Sequence, residues 1–533
     1  MTSVERLRTM NRRKLLTAAV VATALTALSA CSGGATPGTS SSTGTGGTLK
    51  LAFLAGISTP DPDTAYDGPE LNLVNSAYEG LLKYQPGQAK PQLTGALATK
   101  WAANADNTVF TFDLRTGVTF HDGTAFTASA VEPSFQRRTT MAKGPSYMVA
   151  DVKSVEAPSD SQVVITLKAP NSAFLDLLAS PFGPKMLSPK ALQDHPTSTD
   201  EDNWFATHDA GTGPYTYGTF EPDADYKLTA YPGYWGTKPG YSAVDFTVLA
   251  SMSTIQLKLQ SGELDGVIGS LDGASFTTLK GDSSLTTSAF SSMQTPTLFV
   301  NPKSAAVGAA DVRAELLAGI DFAALMKKAL PDTTEPTTEV FPVNLLADPG
   351  TDQQKITYDA TALAGLASGA LAGKTVKIAY TQTGPDGQAL SDNLAAVLNT
   401  AGIKAESVGY AAGTYYPALA KGADAPDLTI FAGFPDTAHP DAWASVFYTP
   451  DGGLDLFGAE VPGLAETLAA ARKTNDQAAY GRAAAMVSES AYWYSMGTMK
   501  GTASFAKDVA GADTAWHPVI TGVLELNLLH PAS

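Results

Sequence analysis

Cysteine is almost missing: the 533 residues hold one, at position 31. Everything after it is therefore without structural disulfides, cysteine-ligated zinc or thiol catalysis. Histidine is scarce as well, and its six copies (121, 195, 208, 439, 517 and 530) stand singly, without metal-ligand spacing. Neither a GxSxG elbow nor an HExxH pair occurs. Basic side chains are outnumbered, 35 against 52 acids, for a net charge of −17. Residues 1–30 carry five of the bases and one acid, so the remainder holds −21. Such a field repels nucleic acid, and no basic patch interleaved with aromatics offsets it. A solvated acidic surface explains it. Beyond residue 30 no apolar run is long enough to span a bilayer.

Two stretches that resemble ligand motifs fail on counting. "GALAGKT" (369–375) would need glycine six places before Lys374, where Ser368 stands, and Lys374 leads into a strand rather than a helix. "DPDTAYDG" (61–68) would need a calcium-ligating side chain at Ala65, so it reads as a turn. Carboxylate pairs of the glycosidase kind carry no weight among so many acids.

What is present begins at the N-terminus. By itself, Cys31 could be a core residue, a nucleophile or a modification site; its neighbours decide. The cluster Arg12, Arg13 and Lys14 precedes an uncharged run from Leu15 to Ala30, too short and too rich in Thr and Ser for a ~30 Å hydrocarbon layer. A basic head, short apolar middle and small-residue end describe an export signal. "LSAC" (28–31) resembles a bacterial lipobox, which implies that Cys31 is lipidated and becomes the new N-terminus. The Arg12–Arg13 pair also loosely resembles a twin-arginine signal, and the export route stays open between that and the general one. Residues 32–47 are almost wholly Ser, Gly, Thr, Ala and Pro, a flexible coil spanning about 20–25 Å r.m.s.. The expected order is a signal over 1–30, a lipidated cysteine and tether over 31–47, and a folded body from Thr48.

About 485 residues remain for the body, too many for one ordinary core. "TLKLAFLA" (48–55) reads as a strand, and "ELNLVNSAYEGLLKY" (70–84) as a helix with Leu73, Ala77, Leu81 and Leu82 at helical spacing. A β-rich section follows, with strands in 108–120, 161–170 and 226–235. "STIQLKLQSGEL" (253–264) reads as a helix stopped by Gly262. The second half alternates: strand 374–381, helix 387–402 with Leu390, Leu394, Val397 and Leu398 on one face, strand 403–410, then a buried strand in 426–435. A strand–helix–strand unit implies a parallel pair with a right-handed crossover.

One long run is more specific. "LATKWAANADNTVFTFDLRTGVTFHDGTAFTASAV" (97–131) resembles the signature of bacterial family 5 extracellular solute-binding proteins, the dipeptide, oligopeptide and nickel receptors of ABC importers. The likeness continues in "YEGLL" (78–82), in 211–249, in "LKLQSGELDG" (257–266) and in 298–321, then thins. It implies an α/β, two-lobed periplasmic-binding-protein-like fold of the type II, Venus-flytrap kind, with an extra β-rich subdomain in the first lobe. The expected boundaries are lobe I over 48–295 with an insertion at about 85–210, lobe II over 296–498, and a return to lobe I over 499–533. It further implies a monomeric, non-enzymatic receptor held on the outer face of the cell membrane by lipidated Cys31. That receptor would deliver a peptide or peptide-like solute to a permease with a cytosolic ATPase, without a cofactor, a metal or nucleic acid. The same fold binding an oligosaccharide, a metal chelate, haem or another organic solute is the alternative, and an extracellular hydrolase a minor one.

In α/β lobes, ligands sit beyond the carboxyl ends of strands, where "LTIF" delivers "AGFPDTAHPDAW" (432–443). Peptide-binding relatives place an aspartate in this loop for the ligand's α-ammonium group; the aligned position here is Gly433, which puts free peptides in doubt. Asp436 and Asp441 either substitute for it or form turns around Pro435 and Pro440. Tyr147 matches a cleft tyrosine of the family and Glu79 a cleft-edge acid, while Phe431, Phe434 and Trp443 are candidates to stack on ligand or to pack inside. His121, Asp122 and Gly123 are read as a structural turn, and Arg115 as a scaffold ion pair.

Overall fold

The computed structural model describes residues 46–54, 56–57, 59–196, 203–269, 271–450 and 452–533. Cys31, the export signal and nearly all of the tether lie outside them. Strand β1 (Gly46–Leu54) opens the body, starting two residues before Thr48 because Gly46 and Thr48 already pair with Tyr241 and Ala243. Helix α1 (Leu71–Ala77) follows, then β2 (Ala98–Ala103), β3 (Val109–Leu114), α2 (Val131–Met141), β4 (Val152–Ser159), β5 (Gln162–Leu167) and α3 (Phe174–Ala179). Next come β6 (Tyr215–Glu221), β7 (Asp225–Ala230), β8 (Tyr241–Leu249), α4 (Met252–Ser261), β9 (Gly266–Ile268) and β10 (Leu285–Phe290). The second half runs β11 (Thr295–Val300), β12 (Thr375–Thr381), α5 (Pro385–Thr400), β13 (Lys404–Tyr410), β14 (Leu428–Gly433), α6 (Pro440–Phe447), α7 (Leu464–Thr474), β15 (Trp493–Ser495) and β16 (Gly501–Ala506).

These strands form three principal sheets. The first has the order β10-β16-β9-β1-β8-β7-β6, the second β13-β12-β14-β11-β15, and a four-stranded antiparallel sheet the order β2-β3-β5-β4. In the first, β1 lies parallel to β8 with Leu51 opposite Phe246, and the rings of Phe53 and Phe246 stack at 4.3 Å. In the second, β12 is parallel to both β13 and β14, with α5 as the crossover, as the strand–helix–strand pattern implies. Leu390, Leu394 and Leu398 of α5 are fully buried, while Val397 is only half so. Every residue of β11 is buried, the mark of a strand covered on both faces. Ser251 caps α4 by accepting from the Thr254 amide at 3.2 Å, and Gly262 ends it at φ +74°, a conformation glycine enters without steric cost.

The expected helix over 70–84 is half its length. It stops at Ala77, where Tyr78 turns extended (φ −124°, ψ 147°), and Leu82–Tyr84 pairs with Leu93–Gly95 as a hairpin. Glu79 there is drawn into a buried hydrogen-bond set, and the adjacent apolar pair Leu81 and Leu82 enters the core from an extended chain.

Candidate functional site

The breaker run before α1 is ordered by charge rather than by calcium. Arg137 of α2 grips Asp61 through both terminal nitrogens (2.8 and 2.6 Å) and reaches Asp63 at 2.5 Å, while Arg138 Nε donates to Asp63 at 3.0 Å. All four side chains are buried, and Arg138 also donates to the carbonyls of Pro62 and Phe182 at 2.6 Å each. These bonds fix the loop that carries Tyr66. Its ring packs edge-on against Phe182 at 4.9 Å and passes so close to Gly144 that a Cβ there would meet it at 2.7 Å.

From the second half, β14 delivers the segment Ala432–Asp441 to the same place. Asp436 Oδ2 accepts from the hydroxyls of Tyr66 and Tyr147, both at 2.5 Å, while Oδ1 has no partner among the described residues. Two further bonds join the halves: Ser180 Oγ donates to the Asp436 carbonyl at 2.7 Å, and the Tyr84 hydroxyl accepts from the Ala438 amide at 2.9 Å while donating to Asp176 at 2.8 Å. The result is a cleft of about 810 Å³ lined from one side by Tyr66, Tyr147 and Phe182 and from the other by Phe431, Phe434 and Asp436.

The cleft is acidic. Asp67, Asp151 and Asp441 also face it, and the one arginine among its described lining residues, Arg472, is already committed to Asp441 at 2.7 Å. Burial raises the Asp436 carboxyl above its ordinary range, and the two tyrosine hydroxyls pull it back in part. Burial likewise lifts Asp441, opposed by Arg472, and takes Asp176 up to about 6. His439, whose Nδ1 accepts from the Asp441 amide at 3.2 Å, is driven down to about 3 by burial and by the positive Arg472, so it stays neutral. Among the described residues no group of three or more His, Cys, Asp or Glu side chains is arranged to hold a metal ion.

Of the residues singled out from sequence, the structure gathers Tyr147, Phe431, Gly433, Phe434 and Asp436 around this cleft. Gly433 is walled by rings: a Cβ there would lie 2.9 Å from both Phe431 and Phe447. Two others lie elsewhere. Trp443 is fully buried, stacked on Phe447 at 3.8 Å with its Nε1 donating to the Tyr448 hydroxyl at 2.9 Å. Its helix α6 turns the spacing Pro440, Trp443, Ala444, Phe447 inward, as an amphipathic helix does. Glu79 is buried behind the cleft, accepting from Trp235 Nε1 (2.7 Å), Thr212 (2.8 Å) and Tyr234 (3.0 Å). Burial raises its carboxyl, against those three donors.

Arg115 is part of the scaffold, but not through the expected ion pair. Its Nε donates to the Ala96 carbonyl at 2.6 Å and its guanidinium lies over Trp235, 4.1 Å from the ring centroid, a contact that needs no carboxylate. His121 is structural as read, held between Asp209 and the Gly213 carbonyl, with Gly123 turning at φ +82°. Tyr66, Asp67, Asp151, Tyr416 and Arg472 line the cleft without having been singled out. Each sits in a turn, loop or helix whose local pattern is ordinary, and only the tertiary pairing of Tyr66 with Asp436, 370 positions apart, marks it.

Comparison with known proteins places this geometry. Residues 92–455 match the model of bacterial extracellular solute-binding proteins, family 5. The probable D,D-dipeptide-binding periplasmic protein DdpA of Escherichia coli is 26% identical over 53% of this chain and 54% of its own. A glutathione-binding protein GsiB, from Escherichia coli O157:H7, is 31% identical over 40% of each chain. This chain thus spans about half or less of the curated relatives it matches. The fold is shared more widely. The substrate-binding protein CtaP of Listeria monocytogenes superposes with a TM-score of 0.81 at 18% identity, covering 92% of this chain and all of that one. DppA of Helicobacter pylori, in complex with the peptide STSA, gives 0.74 at 22% identity over 92% and 98%. NikA of Brucella suis, with Fe(III)-EDTA, gives 0.79 at 19% over 91% and 100%. The α/β architecture of periplasmic binding proteins expected from the signature is therefore the one observed, and the chain belongs to the bacterial extracellular solute-binding proteins of family 5.

Proposed function

We propose that this chain is the solute-binding component of an ABC importer, capturing a peptide or peptide-like solute whose positively charged amino end meets Asp436. The observation that carries this reading is Asp436 Oδ1, without a partner among the described residues, in an acidic cleft whose one described arginine is spoken for. The two tyrosines fix the carboxylate and leave one oxygen for a cation. A charge-assisted hydrogen bond from an ammonium group is the natural complement. Asp436 thereby takes the role that the loop's alignment had left vacant at Gly433, and the Phe431 and Phe434 rings supply apolar wall for side chains. The cleft volume, about 810 Å³, lies in the ordinary range for small-molecule sites. The relatives named for a dipeptide, for glutathione and with a bound peptide support the same ligand class.

Capture would use closure of two lobes over the ligand, with the closed state favoured by contacts that only the ligand completes. Lipidated Cys31 would hold the monomer on the outer face of the membrane, and a permease with its ATPase would receive the load. Among the described residues no helix is long and apolar enough to cross a membrane. Calorimetric titration of the protein with tri- and tetrapeptides, their N-acetylated forms, oligosaccharides and metal chelates tests the reading. Free peptides should bind and acetylation should weaken them at least tenfold. Binding of sugars or chelates alone would overturn it.

A further inference from the structure

Behind the cleft loop lies a second, much smaller cavity of about 70 Å³, room for about two waters at ~30 Å³ each. Its lining is unusual in what it leaves unpaired. Lys185 exposes 6% of its surface and has no hydrogen-bond or ion-pair partner among the described residues. His517 also lines the cavity. Its Nδ1 accepts from the amides of Val519 (3.2 Å) and Ile520 (3.1 Å), so its proton sits on Nε2, and that N–H is likewise without an acceptor. The side-chain amide nitrogen of Asn75, a third wall residue, is buried and unbonded.

Three donor groups around one small space, none of them bonded to an acceptor among the described residues, describe a site for an acceptor that is not part of the chain. The two carboxylates in the wall do not fill that role. Glu525 is held by Lys83 through both oxygens (2.7 and 2.8 Å), and Glu79 is occupied by Thr212, Tyr234 and Trp235. A buried ammonium without a hydrogen-bond partner is costly, and burial together with the positive Arg138, offset only in part by Glu79 and Glu525, pushes the Lys185 amine down to about 7.

We propose that this cavity is an anion site, taking one compact monovalent anion of chloride or formate size against Lys185, His517 and Asn75. The volume excludes anything as large as a sugar acid or a nucleotide. Two wall residues connect it to the cleft: Ser180 and Tyr84 also hold the Asp436 carbonyl and the Ala438 amide. A filled cavity therefore braces the residues on which the ligand loop rests.

Bromide and chloride are the probes. Crystals of the full chain grown in sodium bromide should give an anomalous peak beside Lys185 Nζ. The melting midpoint in sodium chloride should exceed that in sodium gluconate at equal ionic strength by about 2 °C, saturating with concentration, because gluconate is too large to enter. Lys185→Met should abolish both effects, and His517→Phe should weaken them. A cavity holding water only, a bromide peak without a saturable melting increment (an adventitious ion only), or an increment unchanged in Lys185→Met would each overturn the proposal. Should Lys185→Met fail to fold, the bromide map and His517→Phe decide.

Discussion

The Tyr147 hydroxyl donates to Asp436 at 2.5 Å across 289 positions of sequence, and with this bond the first half of the chain fixes the acid of the second half that the proposed function sets against a ligand's charge. Replacing Asp436 by Asn keeps the shape and removes the charge. Peptide affinity should fall by about 1.5–3 kcal/mol, the value of a hydrogen bond to a charged group, while affinity for an N-acetylated peptide changes little. Calorimetry on both ligands checks this; equal losses would place the ammonium group elsewhere.

Trp443 should matter to stability and not to recognition. Trp443→Phe keeps most of the stacking on Phe447 but leaves the buried Tyr448 hydroxyl without its donor. A loss of about 1–3 kcal/mol in chemical denaturation is expected, with ligand affinity within about twofold of the parent. A large change in affinity at unchanged stability would return Trp443 to the cleft.

Asp352 sets a pH dependence. It is wholly buried, its Oδ2 has no partner, and burial together with nearby Glu339 lifts its carboxyl to about 8. The folded state thus holds this proton more tightly than the unfolded chain does. Its contribution to stability is fully present below the ordinary carboxylate range and is lost as pH rises toward about 8, at up to about 1.4 kcal/mol per pH unit. Asp352→Asn should flatten that decline, measured by denaturation at about pH 6 and about pH 9; an unchanged slope would assign it to other groups.

Cys31→Ala should release the protein from the membrane fraction without changing its ligand affinity. Fractionation of expressing cells checks this, and full membrane retention would contradict the lipid anchor.

How far the sequence carried depended on whether a pattern was local. The unit β12–α5–β13 was legible because alternation and the 3.6-residue spacing of Leu390, Leu394 and Leu398 are properties of short stretches. The stretch 70–84 misled because Leu81 and Leu82 suit a helix face and an extended edge equally, and what decides is Glu79 reaching Trp235, 156 positions away. Trp443 did carry a local signal: Pro440, Trp443, Ala444 and Phe447 are spaced as the inward stripe of a helix. Tyr66 carried none, since its role exists only once Asp61 and Asp63 meet Arg137 and Arg138.

The position of β16 has a consequence for biogenesis. This strand, residues 501–506, lies between β9 and β10 and is the hydrogen-bonded neighbour of both. The first sheet therefore stays split until residues 501–506 have been synthesised and join it. Until then the facing edges of β9 and β10, both made before residue 291, wait unpaired for a strand that begins at Gly501. Truncation shortly before Gly501 would forfeit the first sheet's integrity rather than trim a tail.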